Sequence, residues 1–389
     1  MTPAARINAA IEVLDRIQTG ALASRVLTEW ERRNRYAGSK DRAAIADIIY
    51  DVLRRKRSLA ARGGGADGRA LMLGYLRDLE QDPETVFGVG RYAPDPLTEA
   101  ERSAGHLPAE GTAEEADIPE WLWPDLQASL GPRTQQIAGE MQKRAPIHLR
   151  VNLTKLTRDR AIRILSEQGI EGRPHPLSPT AIEIVEGARK VKNAKAYLDG
   201  MVELQDASSQ AVSDLVPLKP GQTLLDFCAG GGGKTLAIAG RVTGVFVAHD
   251  AEPRRMNDLP ARADRAGAAI KRVSSAELGL IAPFDTVLVD APCSGSGSWR
   301  RDPQGKWLLT RKKLDQTIRI QRDILETTAA LVRPQGHLVY ATCSLLAAEN
   351  QDQIAAFLAQ HPEFSMSFEQ QFTPLNGGDG FYCAVLLRD

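Results

Sequence analysis

Two of the chain's four cysteines stand where thiol chemistry is useful. Cys293 lies in Asp290-Ala291-Pro292-Cys293-Ser294-Gly295-Ser296-Gly297, and Cys343 in Thr342-Cys343-Ser344. Each block closes an apolar run, DTVLVD or HLVYATC, that reads as a buried strand. A single buried cysteine is ordinary packing, whereas two at strand ends beside a carboxylate suit nucleophilic addition. The attacking species is a thiolate, so the surroundings must lower a pKa that is about 8.5 in a free cysteine. Cys228 and Cys383 have no such setting and read as small buried residues. The spacing of the four makes neither a disulfide framework nor a paired zinc site, so no metal is expected.

A third run, TLLD, leads directly into FCAGGGGKT (227–235) and then a helical pattern, so Gly230 to Gly233 form a strand-to-helix turn where backbone N–H groups can approach a ligand. Two readings compete. GGGGKT followed by VLVD (287–290) looks like a phosphate-binding loop with its magnesium aspartate, but that motif needs glycine where Cys228 stands. The other takes Asp226 and the glycines as the turn of an S-adenosylmethionine site, with Asp250, at the end of the next apolar run, accepting from the ribose hydroxyls. The acid at the second strand end favours S-adenosylmethionine.

A methyl donor and two thiols together suit methylation of cytosine at carbon 5. That carbon is not nucleophilic until a thiolate adds at carbon 6. Asp290 can hydrogen-bond the N3 and N4 edge and stabilise the charge that develops on the ring, a contact worth roughly 3 kcal/mol; if it donates a proton, burial must hold it neutral. A second cysteine can assist loss of the carbon 5 proton and release of the enzyme thiolate. Chemistry alone does not say which cysteine attacks. The base must be unpaired or flipped out, because a stacked base admits neither thiolate nor donor.

The elements that must position these groups follow from periodicity. From Gly200 onward TLLDFC, VFVAHD, DTVLVD and HLVYATC alternate with helical patterns, which implies a parallel sheet with helices on both faces and ligands beyond the carboxyl ends of its strands. Upstream, HLRVNLTK (148–155) and AIEIVEG (181–187) read as strands and Arg158–Gln168 as a helix. From Ile7 to Leu59 apolar residues recur at helical spacing, with Ser39 as a cap for the third helix and Arg54-Arg55-Lys56-Arg57 at its end, before Gly63-Gly64-Gly65 breaks the pattern. That basic run either grips phosphate or complements the helix dipole. Between Tyr92 and Glu120 the chain is acidic and rich in Pro, Gly and Ala, with a capping box at Thr98–Glu101, and reads as a solvated connector. An amphipathic stretch, 119–144, completes the helical part. The expected domains are 1–140, 141–203 and 204–389.

At 389 residues, with 43% hydrophobic and 25% charged residues, the chain is globular, and disorder and coiled coil are excluded. No apolar run approaches the roughly 20 residues that cross a bilayer, and the N-terminus has no signal-peptide core, so a cytoplasmic protein without a membrane partner is expected. Its 49 basic and 49 acidic residues cancel, so any nucleic-acid surface must come from local segregation of charge. Arg54 to Arg57, Arg150, Lys155, Arg300 and Arg301 are the phosphate-contact candidates.

The sequence resembles the RsmB-like branch of the Nop/Sun family of RNA cytosine-5 methyltransferases. LQDASSQAV (204–212), LDFCAGGGGKT (225–235), VDAPCSGSGSWRRDPQGKW (289–307), LVYATCS (338–344), ENQDQIAAFLAQHPEF (349–364) and DGFYCAVLLR (379–388) follow that family's order. The resemblance implies an α/β, Rossmann-like S-adenosylmethionine-dependent methyltransferase domain, preceded by a small α/β RNA-recognition element around RVNLTK and an all-helical NusB-like RNA-binding domain. It implies Cys343 as nucleophile and Cys293 in product release. Cofactor contacts are implied from Cys228, Ala229, Gly230, Gly231, Gly232, Gly233 and Lys234, from Asp250 and Arg255, and from Asp290. Lys306 is implied to line the active site. Two positions depart from the pattern: Gly231 replaces a proline, which loosens the loop, and Ser275 replaces an acid that contacts adenine. Small-subunit ribosomal RNA is the leading substrate expectation, transfer RNA the second, and a monomer or weakly associated chain is expected. A phosphate-loop NTPase and a non-catalytic RNA-binding scaffold are the rival classes.

Overall fold

Apolar alternation at 147–151 and 181–186 builds the first of two sheets. In the computed structural model, which describes all residues from Met1 to Asp389, β1 (Ile147–Val151), β2 (Glu171–Pro174), β3 (Ala181–Glu186) and β4 (Val202–Leu204) form an antiparallel sheet in the order β2-β3-β1-β4. Leu149, Val151 and Ile182 pack against Ala161 and Leu165 of the helix Arg158–Glu167. The opposite face of β1 is polar yet also buried: His148 bonds Asp206, and Arg150 donates to the Gly233 carbonyl at 2.7 Å. One of the expected phosphate contacts, Arg150, is therefore spent inside the fold, whereas Lys155 is exposed. Arg150 braces the end of the glycine turn, and Lys155 donates to the carbonyls of Asp199 and Arg265.

The near-continuous apolar runs become the centre of a seven-stranded sheet: β5 (Thr223–Asp226), β6 (Val245–Ala248), β7 (Ile270–Arg272), β8 (Phe284–Asp290), β9 (Val332–Thr342), β10 (Phe364–Phe372) and β11 (Phe381–Arg388). The order is β10-β11-β9-β8-β5-β6-β7, parallel except where β11 pairs with β9 and β10. Strand order reverses between β5 and β8, so the loops leaving these two strands diverge and open a crevice above the sheet. Leu225, Val287, Val289, Leu338 and Tyr340, all fully buried, form one side of the core, and Leu224, Leu288, Val339 and Ala341 the other. Burying each such large side chain contributes roughly 1.5–3 kcal/mol.

The chain divides into two units, Ala145–Ser298 with Thr310–Asp389, which holds both sheets, and Met1–Arg144 with Trp299–Leu309, which is helical. In the helical unit, helices Pro3–Gln18, Ala23–Arg33, Ser39–Arg54, Lys56–Gly63 and Gly68–Asp78 enclose Val13, Leu14, Trp30, Ile45, Ile49, Leu59 and Met72. A Cβ on Gly74 would lie 1.9 Å from the Leu59 carbonyl oxygen, so glycine is what lets the last two helices cross so closely. Gly38, not Ser39, occupies the cap of the third helix. The basic run is the break between two helices, and its charges are used internally. Arg54 bonds Asp51, Arg55 bonds Asp78, Arg57 bonds Glu120 and the Ile118 carbonyl, and Lys56 lies over the Trp307 ring.

The acidic connector is largely exposed from 98 to 111, as a solvated linker would be, but is docked from 113 to 118. Asp117 is fully buried and accepts from the N–H groups of Arg57 and Ser58, from the Ser58 hydroxyl and from Gln142. Ala113, Ala116 and Ile118 are buried beside it. The expected capping box at Thr98–Glu101 is present.

Candidate active site

Residues Asp290 of β8 and Ala341 of β9 are paired across the parallel ladder, so the loops that follow leave the same edge of the sheet. Those loops carry the two thiols. Cys293 and Cys343 are free and half-buried, with their Sγ atoms 3.3 Å apart. The hydrogen bond shared with Cys293 lowers the Cys343 pKa against the opposing effects of burial and Asp290; the cation of Lys234 and a hydrogen bond from Ser298 add to the lowering. Its partner moves the other way: the shared hydrogen bond and burial push Cys293 well above the ordinary thiol range. Of the pair, Cys343 is thus the more acidic thiol.

Asp290 is ion-paired with Lys234, Oδ2 to Nζ at 2.6 Å. Its side chain is about one-third exposed, at 35%, at the crevice wall. Lys234 is buried, which opposes its charge, yet the carboxylate of Asp290 outweighs this and raises its pKa. The ring of Phe381 lies 5.0 Å from the same ammonium. Lys234 therefore links the end of the glycine turn to Asp290 and Cys343, a role that its place in GGGGKT does not disclose.

The turn itself follows from its glycines. Gly230 and Gly232 have φ of +50° and +73°, the left-handed region that glycine enters at no steric cost. Gly230 N–H donates to Asp250 Oδ2 at 3.0 Å, Arg255 pairs with the same oxygen at 3.2 Å, and Asp250 Oδ1 accepts from the Glu252 N–H. Arg262 donates to the Gly231 carbonyl, and its Nη1 would lie 2.7 Å from a Cβ at that position. The guanidinium thus occupies space that the family's proline would claim, and it steadies a loop expected to be loose. Asp226 is buried, accepts from Thr235 Oγ1 at 2.5 Å and has no partner on Oδ1; burial pushes its pKa up to about 7. An orphaned acid oxygen beneath a side-chain-free turn, with a second acid at the next strand end, fits a polar nucleoside-bearing ligand such as S-adenosylmethionine.

Ser275 heads the helix Ser275–Ile281, and its hydroxyl meets His249 Nε2 at 2.8 Å, while His249 Nδ1 meets the Phe227 carbonyl. Cys228 lies in the turn, but burial raises its pKa far out of the thiolate range, and burial lifts Cys383 to about 12. Both keep the packing role expected of their thiols. The sheet unit thus brings together Asp290, Lys234, Cys293, Cys343, the glycines, Asp250, Arg255 and Ser275 along its strand ends.

Lys306 is placed differently from the expectation. It belongs to the helical unit, fully buried, with Nζ donating to the Arg54 carbonyl at 2.8 Å, and burial lowers its pKa to about 8. The physical reason is capping: the third helix ends at Arg54, and Lys306 and Trp307 supply donors to the Arg54 and Leu53 carbonyls. Arg54 in turn donates to the Arg300 carbonyl.

Glu349, Thr235, His249 and Arg262 were not singled out from sequence. Glu349 is fully buried and bonded to the loops of both cysteines. A lone Glu six residues after Cys343 carries no local signal; only the closeness of β8 and β9 discloses it.

The family model described as 16S rRNA methyltransferase RsmB/F matches residues 214–386, and one described as an RsmF/B-like ferredoxin-like domain matches 118–191. The chain is 34% identical over 284 residues to ribosomal RNA small subunit methyltransferase B of Salmonella paratyphi A, a match covering 69% of this chain and 66% of that relative, just under two thirds of its length. The crystal structure of PH0851 superposes with a TM-score of 0.74 at 24% identity, covering 99% of each chain. That of a methyltransferase homolog protein from Pyrococcus horikoshii gives 0.63 at 24% identity, covering 71% of this chain and 97% of the other. The two structures share the fold. The two family models fall on both sheets, and with the 34% identity they place the chain in the RsmB/F family of methyltransferases.

Proposed function

We propose that this protein methylates carbon 5 of a cytosine in RNA, with small-subunit ribosomal RNA as the first substrate to try and transfer RNA as the second. The carrying observation is the thiol pair: Cys343 and Cys293 in contact at 3.3 Å, with opposite pKa shifts, beside the Asp290–Lys234 ion pair. A simple methyl transfer to nitrogen or oxygen has no use for two thiols, whereas carbon 5 of cytosine needs one to enter and a group to help it leave.

In this reading Cys343 adds to carbon 6 and Asp290 accepts a hydrogen bond from the cytosine N4 edge, steadied by Lys234. S-adenosylmethionine, when bound, supplies an electrophilic methyl group. The glycine turn from Cys228 to Gly233, with Lys234 at its end, would form the cradle; Asp250, steadied by Arg255, would accept from ribose hydroxyls, and the Ser275–His249 pair would meet the adenine edge. Cys293 then assists loss of the carbon 5 proton and release of Cys343. No helix is long and apolar enough to cross a membrane; a cytoplasmic enzyme that is monomeric or weakly associated is part of the proposal.

Transfer of labelled methyl from S-adenosylmethionine to naked ribosomal RNA, immature small-subunit particles and transfer RNA tests the reading, with 5-methylcytosine identified in the digested product. Label in another base, or RNA binding without transfer to any of these, would overturn it, the latter in favour of a scaffold.

A further inference from the structure

Glu349 accepts at Oε1 from the Ser294 N–H at 2.8 Å and from Gln321 Nε2 at 3.1 Å. At Oε2 it accepts from the hydroxyls of Ser294 and Ser344, the latter at 2.5 Å. Ser294 directly follows Cys293, and Ser344 directly follows Cys343. Gln321, on the helix Arg311–Ala329, also donates to the Pro292 carbonyl, directly before Cys293. Ser296 completes the web by meeting the Ser344 hydroxyl at 3.0 Å and accepting from the Leu345 N–H. One side chain, with no exposed surface, thus ties the residues next to both thiols to a single point.

We propose that Glu349 is a positioning residue of the reaction, one whose carboxylate clamps the Cys293 and Cys343 loops together and makes the two thiols inequivalent. The inference rests on the reading of Cys343 as nucleophile. The clamp has a direction as well as a distance. Cys293 faces Cys343, the Glu349 carboxylate, the Tyr340 ring and the Gly295 N–H, whereas Cys343 faces Cys293, Asp290, the Lys234 ammonium and the Ser298 hydroxyl. The Glu349 carboxylate disfavours a thiolate at Cys293, whereas at Cys343 the Asp290 carboxylate is countered by the Lys234 ammonium and the Ser298 hydroxyl. A neutral clamp of the same shape would hold the loops but lose the part of that bias that the carboxylate supplies.

The test is alkylation by iodoacetamide across pH, with Cys343 and Cys293 peptides quantified by mass spectrometry in the intact protein without RNA. In wild type Cys343 is expected to react at least about tenfold faster than Cys293 near neutral pH, as a thiolate fraction one pKa unit apart would give. In Glu349→Gln the Cys293 profile is expected to move to lower pH, because the thiol loses the carboxylate that raises it, and the preference for Cys343 to fall several-fold, with partial recovery in Glu349→Asp. An unchanged profile and ratio in a folded Glu349→Gln would overturn the proposal. Should Glu349→Gln not fold, Ser344→Ala, which removes one bond and keeps the charge, is read for the ratio alone: a change supports the clamp and no change overturns it. Because alkylation needs neither RNA nor methyl donor, its outcome is independent of whether the chain methylates cytosine.

Discussion

The Sγ atoms of Cys293 and Cys343 lie 3.3 Å apart across the ends of two neighbouring parallel strands, and their contact shifts the two thiols in opposite directions, Cys343 down and Cys293 up. From this inequality the roles of the thiols are predicted to separate on substitution. Cys343→Ala should reduce methyl transfer by at least about 10⁴-fold, the scale on which covalent nucleophiles fail. Cys293→Ala should leave attack intact and block release, so that a protein–RNA adduct accumulates on a denaturing gel. An adduct in Cys343→Ala instead would reverse the assignment.

Lys234 is the cation nearest this chemistry, and its removal should be felt at the sulfur. In Lys234→Met the pH midpoint for alkylation of Cys343 should rise, because the thiolate loses a favourable charge while Asp290 keeps an unfavourable one. The stability cost should stay near 1–2 kcal/mol, since Asp290 can rehydrate. Chemical denaturation reports the second quantity and leaves the first to the alkylation profile.

In the glycine turn, Gly232→Ala should weaken cofactor affinity about tenfold by titration calorimetry. The new Cβ would lie 2.2 Å from Leu259 Cδ1, and a left-handed φ costs a residue other than glycine about 1 kcal/mol or more. Circular dichroism should show the fold retained. Undiminished binding would mean that the turn does not form the cradle.

Asp117 should govern the stability of the helical unit. Asp117→Ala orphans donors from Arg57, Ser58 and Gln142 and is expected to cost about 3 kcal/mol. The pH dependence has a definite sign. Burial raises the folded-state pKa to about 6 from an ordinary 3.8, so the folded state holds its proton longer than the unfolded one. This group's contribution is fully present below pH 3.8 and is lost as pH rises through 6. Thermal melts from pH 4 to 7 should therefore show a slope in wild type that Asp117→Ala lacks.

Gln304 should matter for a different reason. Its amide donates to the Ala21 carbonyl and accepts from the Ala23 N–H, both at 2.8 Å. Gln304→Ala should speed hydrogen exchange at Ala23 by on the order of tenfold and cost about 1–2 kcal/mol. Exchange unaltered at that amide would mean the bond does not form in solution.

What the sequence made legible is what local pattern encodes. The central strands were readable because burial on both faces leaves continuous apolar runs such as LVYAT, and the turn because four glycines have no other economical use there. Strand β7 was missed, being three residues of which Lys271 and Arg272 are exposed, and so was the edge strand β10, whose middle is exposed and keeps no alternation. The thiols and Asp290 were legible from type and strand-end position. Glu349 and Arg262 were not, because their partners are distant in the chain and only the sheet brings them close. Lys306 illustrates the opposite error: the motif around it is recognisable, but its ammonium caps a helix that ends more than two hundred residues earlier.

The insertion of Trp299–Leu309 into the helical unit has a consequence for biosynthesis. The first helices emerge from the ribosome long before the residues that cap them, and at roughly 5–20 residues per second the interval is on the order of tens of seconds. Over that time the carbonyls of Leu53 and Arg54 and the N–H of Ala23 have only water as partner. A fragment ending at Arg144 would remain in that state permanently. Any attempt to produce the helical part alone therefore needs the Trp299–Leu309 peptide supplied in trans or grafted onto its end, and a nascent chain paused before residue 299 offers chaperones an exposed, unfinished surface.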